Sequence, residues 1–375
     1  MLVRLALRNL LRDRPRALSA ILGIAFASFL MAVQGGLLYG FSMAASRLVD
    51  AVSADIWITA KGIPSVEFGA PLPDRYADIA RAAPGVTEAG RALVAWWGPY
   101  VKPDGSRTVV LLVGVEEPFL GTIPNPRVAA VAAGRAVDAL VIDRTDMQAL
   151  GARSAGGAVE LGGRRAQVAH VTGGFASFLG TPFVFTTFGD ARRYLRAEAG
   201  ESTFILLKVP DVRAHTRAVE WLRQRLPETE VWTREQFSAR SRGYWLLQTG
   251  AGAALTLSAV LGFAIGLAIV SQTIAGITNE YLGEFATLKA MGATAGAINR
   301  IVLVQSLVCG GVGSLIGIAA VAPFISVARD FVSWAEAPLW LYPAVLSAVL
   351  LLSWFAARIA VRPAIRIAPG QVFRA

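Results

Sequence analysis

The chain has 375 residues, of which 54% are hydrophobic and 17% charged, and its formal net charge is +10. Soluble proteins carry about a quarter charged residues. Together with a mean hydropathy of +0.52, this composition excludes an ordinary soluble protein and indicates an integral membrane protein. The basic residues gather beside the apolar runs, so the anionic face of a membrane is the expected partner and a nucleic acid is not.

The N-terminal residues 1–16 predict a cytoplasmic amphipathic helix that lies on the membrane. Arg4, Arg8 and Arg12 recur every four residues, so they share one face and are expected to reach lipid headgroups. Residues 17–41 follow without a charge and predict the first membrane span, which is too long for the apolar core of a cleaved signal peptide. The five arginines before this span place the N-terminus in the cytoplasm.

Residues 42–243 hold no apolar run long enough to span a membrane, and we expect them to form an extracytoplasmic domain. Elements in the order β-α-β at both ends, with a glycine-rich β stretch between them, predict an α+β domain with a smaller β-rich inserted lobe. At about 200 residues, the domain is large enough to fold alone. The predicted strands are 55–60, 108–115, 140–144, 204–209 and 230–233, and the predicted helices are 75–82 and 213–226.

The rest of the chain predicts three more spans. Residues 244–276, with Tyr244 and Trp245 as an aromatic anchor at the outer edge, form the second. Residues 301–328 form the third and 339–357 the fourth, with a short outer loop at 329–338 between them. The tail, 358–375, carries arginines and no acid, so both termini are expected in the cytoplasm.

Between the second and third spans, residues 277–300 predict a short amphipathic helix at the membrane surface. Its apolar positions recur with the helical period, and its charged residues keep it in water. Gly292 follows the last periodic position, where a helix can end at positive φ. One interpretation is a connector that packs on lipid headgroups, and the other is a docking helix. The apolar stripe comprises Tyr281, Phe285 and Leu288, and Leu282 and Met291 widen it.

Three pairs of glycines have the spacing that lets membrane helices approach closely. Two interpretations are open: a seam between two copies of the chain, or packing within one chain, which is the commoner case for any single pair. The spans hold no charged residue near their middle, which argues against an ion-coupled carrier. The pairs are Gly36 and Gly40, Gly262 and Gly266, and Gly313 and Gly317.

The letters FATLKAMGAT in the segment 277–300 resemble the loop between the second and third membrane helices of ABC transporter permeases of the FtsX/MacB superfamily. The pattern there is an acidic residue, an apolar residue, then L-[KR]-[AT]-[ILMV]-G-A. The tail letters PAIRIAPGQVF resemble the terminal signature of that family. The form of the loop is most like the DevC branch, in which Phe285 is usually tyrosine. The matching residues are Glu284, Leu288, Lys289, Ala290, Met291, Gly292 and Ala293.

The resemblance implies a four-helix permease with a MacB-like extracytoplasmic domain, placed as a homodimer in the bacterial inner membrane. It implies that the segment is a coupling helix docked on a separate ATP-binding subunit. It also implies export of a lipid, glycolipid or other amphiphile with a periplasmic adaptor and an outer-membrane channel. The residues expected at the ATPase interface are Tyr281, Glu284, Phe285, Leu288, Lys289, Met291 and Gly292.

Other functions are weighed against this one. No lysine completes a G-x-x-x-x-G-K-[ST] loop, so we expect no enzyme activity and no cofactor in this chain, with ATP and Mg bound by the partner subunit. The alternative is an FtsX-like complex that uses the same coupling to activate an extracellular hydrolase. A membrane enzyme with a catalytic outer domain would need a clustered nucleophile or acid pair, which the sequence does not suggest. Its single cysteine, Cys309, excludes a disulfide within one chain.

Overall fold

The computed structural model describes residues 14–126, 138–152, 155–175 and 177–366, together with 6, 8, 10, 12, 128 and 129. The chain divides into two compact units. The first, which we call the membrane unit, comprises Met1–Gly40, Ala254–Phe331 and Ala335–Ala375. The second, which we call the α+β unit, comprises Phe41–Ala253 and Val332–Trp334.

The helices and strands of the described residues are numbered here in chain order. The helices are α1 (Arg14–Ala44), α2 (Arg47–Ala51), α3 (Arg75–Arg81), α4 (Phe188–Leu195), α5 (Val212–Arg225), α6 (Arg234–Leu247), α7 (Gly250–Glu280), α8 (Leu282–Ala290), α9 (Ala295–Ala319), α10 (Val321–Ala328) and α11 (Leu341–Arg366). The strands are β1 (Ile56–Ala60), β2 (Leu72–Pro73), β3 (Glu88–Val101), β4 (Arg107–Val115), β5 (Ala139–Asp143), β6 (Ala158–Leu161), β7 (Arg164–Thr172), β8 (Phe183–Thr187), β9 (Glu201–Ser202), β10 (Phe204–Lys208) and β11 (Thr229–Thr233).

In the described residues, four helical stretches are long and apolar enough to cross a membrane, in agreement with the four predicted spans. They are α1, α7, the pair α9 and α10, and α11. The stretch Ala295–Ala328 starts six residues earlier than the predicted third span, because the polar residues before 301 continue the same helix. Pro15 lies in the first turn of α1, where its missing N–H is tolerated, so it does not end the helix.

The predicted second span, 244–276, is wrong at its start. Helix α6 ends at Leu247 and α7 begins at Gly250. Trp245 is only 9% exposed, and its indole Nε1 donates to Ser65 Oγ at 3.1 Å and to Glu67 Oε2 at 3.3 Å. Its aromatic ring therefore packs in the core of the α+β unit and does not anchor a span at the membrane surface.

The α+β unit is built on a nine-stranded sheet in the order β11-β1-β10-β3-β4-β8-β5-β7-β6. An additional β3–β6 pairing closes the last six strands in that order on themselves. Strand β3 joins the two parts, since Glu88–Ala92 pairs with β10 and Tyr100–Val101 with β6. These closed strands are the β-rich part of the α+β unit.

Strand β3 and strand β8 lie where the sequence predicts no strand. The run Trp97–Tyr100 contains Gly98 and Pro99, which normally mark a loop. Here the pairing register between β3 and β4 shifts between Trp97 and Tyr100. A bulge of this kind accommodates the extra backbone and lets the strand continue.

Alternation along β1 explains how one sheet supports two cores. Ile56 and Ile58 face the helices α3 and α5, where they pack with residues such as Ala80 and Leu222. Trp57 points to the opposite face, and its ring centroid lies 5.6 Å from that of Phe204. The closed part of the sheet has a separate core that includes Tyr100 and Tyr194.

Candidate functional site

Helix α8 occupies the predicted coupling segment, and its backbone is continuous with α7. Only Tyr281 separates the two helices. Its N–H donates to the carbonyl of Ile277 at 3.2 Å, and its carbonyl accepts from the N–H of Phe285 at 3.0 Å. Because helical hydrogen bonds run through the junction, α7 and α8 form one nearly continuous helical backbone.

The segment ends as its sequence predicts. Gly292 has φ of +95°, the left-handed conformation that glycine adopts most easily. The N–H of Gly292 donates to Lys289 O at 3.0 Å, and the N–H of Ala293 donates to Leu288 O at 2.9 Å. Thr294 then caps α9 with its side-chain oxygen, which accepts from Ala297 N–H.

The apolar stripe of the segment does not form an open docking face, which corrects the prediction for two residues. Tyr281 is 2% exposed and Phe285 is 0% exposed, and their ring centroids lie 6.3 Å apart. Helix α8 contacts α11, so this face is packed inside the membrane unit. The apolar side of an amphipathic helix packs against an apolar surface, and in this chain the other helices of the membrane unit provide that surface.

The opposite face of α8 is exposed and follows the helical period. Met291 is 71% exposed. The other exposed positions are Gly283, Glu284, Thr287, Ala290 and Gly292, while Leu288 and Lys289 are half-buried. We call Gly283, Glu284, Thr287, Ala290 and Met291 the exposed face of α8. Among the residues predicted at the ATPase interface, Glu284, Met291 and Gly292 are the ones that lie fully open.

An ion pair shows which helix ends lie together. Arg16 Nε lies 3.4 Å from Glu280 Oε2, and both side chains are about half exposed. Such a surface pair contributes little stability, but it places the start of α1 beside the end of α7. The N-terminal arginines and the coupling segment are therefore at one end of the membrane unit, which we call the Glu280 end.

Two of the glycine pairs pack against α1 of the same chain. A Cβ at Gly262 would lie 2.8 Å from Gln34 Cγ, and one at Gly266 would lie 2.5 Å from Met31 Cε. A Cβ at Gly313 would lie 2.8 Å from the carbonyl oxygen of Ile21. From Gly262 to Gly266 the contacted position on α1 moves back from 34 to 31, so α7 runs antiparallel to α1. From Gly313 to Gly317 it moves forward from 21 to 25, so α9 runs parallel to α1.

The remaining glycines of these pairs are also covered by other parts of the same chain. A Cβ at Gly317 would collide with the carbonyl oxygen of Ala25, and one at Gly36 would lie 2.6 Å from that of Glu336. Gly40 is buried as well. The interpretation of these glycines as a seam between two copies is therefore corrected, because their faces are already occupied by the chain itself.

Two of the N-terminal arginines lie on the side that faces away from the protein. Arg8 and Arg12 are exposed, whereas Ala6 and Leu10 between them are buried. The side-chain Nε2 of Gln305 donates to the carbonyl of Ala6 at 3.5 Å. Arg4 lies outside the described residues. Contact of these arginines with lipid headgroups stays a prediction.

A second feature, in the α+β unit, was missed in the sequence. Glu67 is 2% exposed and accepts hydrogen bonds from Ser65 and Trp245. Burial raises the pKa of the Glu67 carboxyl above its usual range, and the bonds from these two residues act in the opposite direction. The cluster fixes α6, which leads into α7. Nothing in the letters around Glu67 reveals it, because its partner Trp245 is 178 positions away in the chain.

Comparison with known proteins finds a matching family model, related permease sequences and related solved structures. Residues 256–369 match the family described as FtsX-like permease C-terminal. That range contains most of α7 and all of α8, α9, α10 and α11. An uncharacterized ABC transporter permease of Mycobacterium tuberculosis strain H37Rv, Rv0072, is 24% identical over 375 residues, covering 98% of each chain. The permease MT0078 of strain CDC 1551 matches equally.

Two solved structures are weakly similar to about half of this chain. The extracellular domain of the noncanonic ABC-type transporter YknZ from Gram-positive bacteria is 13% identical, with a TM-score of 0.34, and covers 47% of this chain and 98% of its own. The periplasmic region of MacB from Actinobacillus actinomycetemcomitans is 11% identical, with a TM-score of 0.36, and covers 51% and 94%. The DevC branch stays a prediction. These matches agree with the resemblance of the loop between the second and third spans: this chain is similar along nearly its whole length to ABC transporter permeases, and residues 256–369 match the FtsX-like permease model.

Proposed function

We propose that this chain is the membrane subunit of an ABC-type exporter. It transmits the ATP-driven motion of a separate ATPase subunit from the exposed face of α8 to the α+β unit. The Glu280 end of the membrane unit and both termini face the cytoplasm, and the α+β unit faces the periplasm. ATP and Mg are bound by the ATPase subunit, and two copies of the permease act together in the inner membrane.

The observation that carries this proposal is the two-sided environment of α8. On one side Tyr281 and Phe285 are buried within the membrane unit, and on the other side the exposed face is open. A helix anchored in this way cannot roll or slide alone. A partner that pushes on its exposed face must therefore move α7 with it.

A single helix, α7, connects α8 to the α+β unit. Helix α7 carries the motion along its 31 residues to Gly250. Gln248 and Thr249 separate it from α6, and the hydroxyl of Thr249 donates to Trp245 O at 2.6 Å. Trp245 is tied to Ser65 and Glu67 in the α+β unit. Displacement of α7 is thereby passed to buried groups of the sheet unit.

The proposed cargo is a lipid, glycolipid or other amphiphile, delivered to a periplasmic adaptor and an outer-membrane channel. The spans are almost wholly apolar, which suits a cargo whose hydrocarbon part stays in the lipid phase. Motion transmitted to the α+β unit then acts on the polar part outside the membrane. This mechanism needs no water-filled pore.

Co-purification of the ATPase subunit with variants of α8 tests the proposal. Glu284→Lys reverses a charge on the exposed face, and Thr287→Arg places a bulky cation at its centre. Both should reduce bound ATPase more than tenfold, since a central interface residue contributes about 2 kcal/mol. Thr287→Ser is the matched control because it keeps the hydroxyl that donates to Gly283 O at 3.0 Å.

Wild-type amounts of ATPase bound to both charged variants, at normal permease expression, would refute the docking role of α8. The same preparations identify the partner outside the membrane. An adaptor protein supports export. A cell-wall hydrolase in its place would favour the signalling alternative, which shares the coupling step but moves no cargo.

A further inference from the structure

A groove runs along the membrane unit between α7 and α11. It has a volume of about 490 Å³ and is lined by positions 267–275 of α7 and 352–360 of α11. The lining side chains include Leu267 of α7 and, one turn apart on α11, Phe355 and Ile359. Helix α11 begins beside Gly35 of α1, at the end away from Arg16, and reaches Gly310 of α9 at Ser353. It therefore runs antiparallel to α1, as α7 does, and the groove follows both helices towards the Glu280 end.

The size of the groove indicates which kind of molecule can occupy it. The eight-residue rise from 267 to 275 is about 12 Å long, and a helix about 11 Å wide fills roughly 1,100 Å³ over that length. The groove, at about 490 Å³, is smaller than this. A membrane helix of a second copy would therefore lie across its mouth, whereas one extended hydrocarbon chain is narrow enough to enter it.

Within the described residues, the polar groups of the lining are Ser271 and Gln272, and two arginines of α11 lie close to Ile359 in sequence. Gln272 is exposed on the groove wall, and Ser271 beside it is half-buried. On α11, Arg362 is exposed and lies three residues, or about one turn, beyond Ile359. The guanidinium of Arg358 lies 4.3 Å from the ring centroid of Trp354. An apolar slot with arginines at one end is complementary to a lipid with an anionic headgroup.

We propose that this groove binds one acyl chain of an anionic membrane phospholipid, whose phosphate is held at Arg362 and whose ester groups lie near Gln272. The lipid belongs to the leaflet at the Glu280 end of the membrane unit. The site goes beyond the proposed export function, because a resident lipid is bound whether or not a cargo is moved. Only the assignment of this leaflet as cytoplasmic depends on the proposed function.

The decisive experiment is photolabelling of the full chain in nanodiscs with phosphatidylglycerol that carries a diazirine in the middle of one acyl chain. Mass spectrometry of the wild-type chain should place most of the label within 267–275 and 352–360. Unlabelled phosphatidylglycerol should compete more effectively than phosphatidylcholine by several-fold. A label spread evenly over the exposed face of α7, including Leu257 and Leu261, would overturn the proposal.

Two alanines of α7 provide a matched pair of variants. Ala268 lines the groove, whereas Ala264, one turn away, is exposed but does not line it. Ala268→Trp should lower labelling of the groove at least fivefold, and Ala264→Trp should leave it within twofold of wild type. Equal labelling in the two variants contradicts the site. Since the wild-type label map also decides the question, poor expression of one variant does not remove the test.

The headgroup and the alternative occupant are tested separately. Arg362→Gln should reduce the preference for phosphatidylglycerol over phosphatidylcholine to near one while the chain still enters the groove; an unchanged preference overturns the assignment of Arg362. Cysteine at Ala268 in a Cys309→Ser background tests for a second copy. Efficient disulfide-linked dimers through that position would show that the groove is a protein interface and would refute a lipid occupant.

Discussion

Phe285 is fully buried beside Tyr281, although its helix lies at the end of the membrane unit. Replacing a buried phenylalanine with alanine costs about 3–5 kcal/mol in protein cores, through lost contacts and the cavity left behind. We expect Phe285→Ala to lower the thermal midpoint of the full chain in detergent by roughly 5 °C or more. Any loss of ATPase binding in this variant would then be a secondary effect of destabilisation.

Met291→Ala is the control for Phe285→Ala, because Met291 is 71% exposed at the end of the same segment. Its midpoint should stay within about 1 °C of wild type, since surface substitutions usually change stability by less than 0.5 kcal/mol. Equal midpoints for Phe285→Ala and wild type would show that the ring does not stabilise the membrane unit.

Asp146 in the α+β unit gives a pH-dependent prediction. Its side chain is 8% exposed and accepts from Phe183 N–H at 3.2 Å. Burial, the largest cause, and the nearby Asp143 carboxylate raise the pKa of Asp146 from 3.8 to about 7, against the opposing effect of the Phe183 hydrogen bond. Because the folded chain keeps this proton to a higher pH than the unfolded chain, stability falls as pH rises from 3.8 to about 7.

Asp146→Asn removes this titration but keeps an oxygen that can accept from Phe183. Its thermal midpoint should exceed that of wild type at pH 8, where the buried carboxylate is charged, and the difference should shrink towards pH 5. Thermal unfolding of both full-length proteins at several pH values measures this. A difference that is the same at every pH would mean that Asp146 does not carry the effect.

At the scale of whole elements, close contact between helix backbones determines how α9 packs on α1. A Cβ at Gly317 would collide with backbone atoms of Ala25, which cannot move aside as a flexible side chain can. In the same helix, a Cβ at Gly311 would meet only Leu350 Cδ2, at an ordinary 3.9 Å. We therefore expect Gly317→Ala to lower the thermal midpoint and the yield of folded protein.

Gly311→Ala is the matched control, and it should be neutral or slightly stabilising, because alanine favours a helix over glycine by up to about 1 kcal/mol. Fluorescence-detected size exclusion of the two variants after heating gives the comparison. Equal behaviour of the two variants would contradict the close approach of α9 and α1.

The spans could be predicted from the sequence because each sums a signal over some twenty residues, whereas side-chain partners could not. The packing of α8 involves α11, which begins only at Leu341, far along the chain. The start of the second span was wrong because Tyr244 and Trp245 suit either a membrane surface or a protein core. What decides between these is Ser65 and Glu67, which lie far away in the chain. Strand β3 was not predicted because its bulge contains Gly98 and Pro99, which are typical of a loop.

At the scale of the whole molecule, the division into two units predicts that the α+β unit folds alone. It has its own sheet and three hydrophobic clusters, and at about 200 residues it is large enough for independent stability. The boundaries of a fragment matter, however. Ser46 Oγ donates to Asp50 at 2.8 Å and accepts from Arg242 at 3.2 Å, and Trp245 fills the pocket at Ser65 and Glu67.

Two fragments therefore separate the effect of the boundary from that of the fold. Residues 42–247 retain all of these contacts, whereas residues 46–240 lose Arg242 and Trp245 and leave the buried Glu67 with one donor fewer. We expect 42–247 to be soluble and to unfold in one cooperative transition, and 46–240 to have a midpoint lower by several degrees, since a lost partner of a buried polar group costs about 1–3 kcal/mol. Circular dichroism on heating measures both. If 42–247 is insoluble or melts without cooperativity, the α+β unit needs the membrane helices to fold, and motion passed along α7 would then act on one body rather than on two.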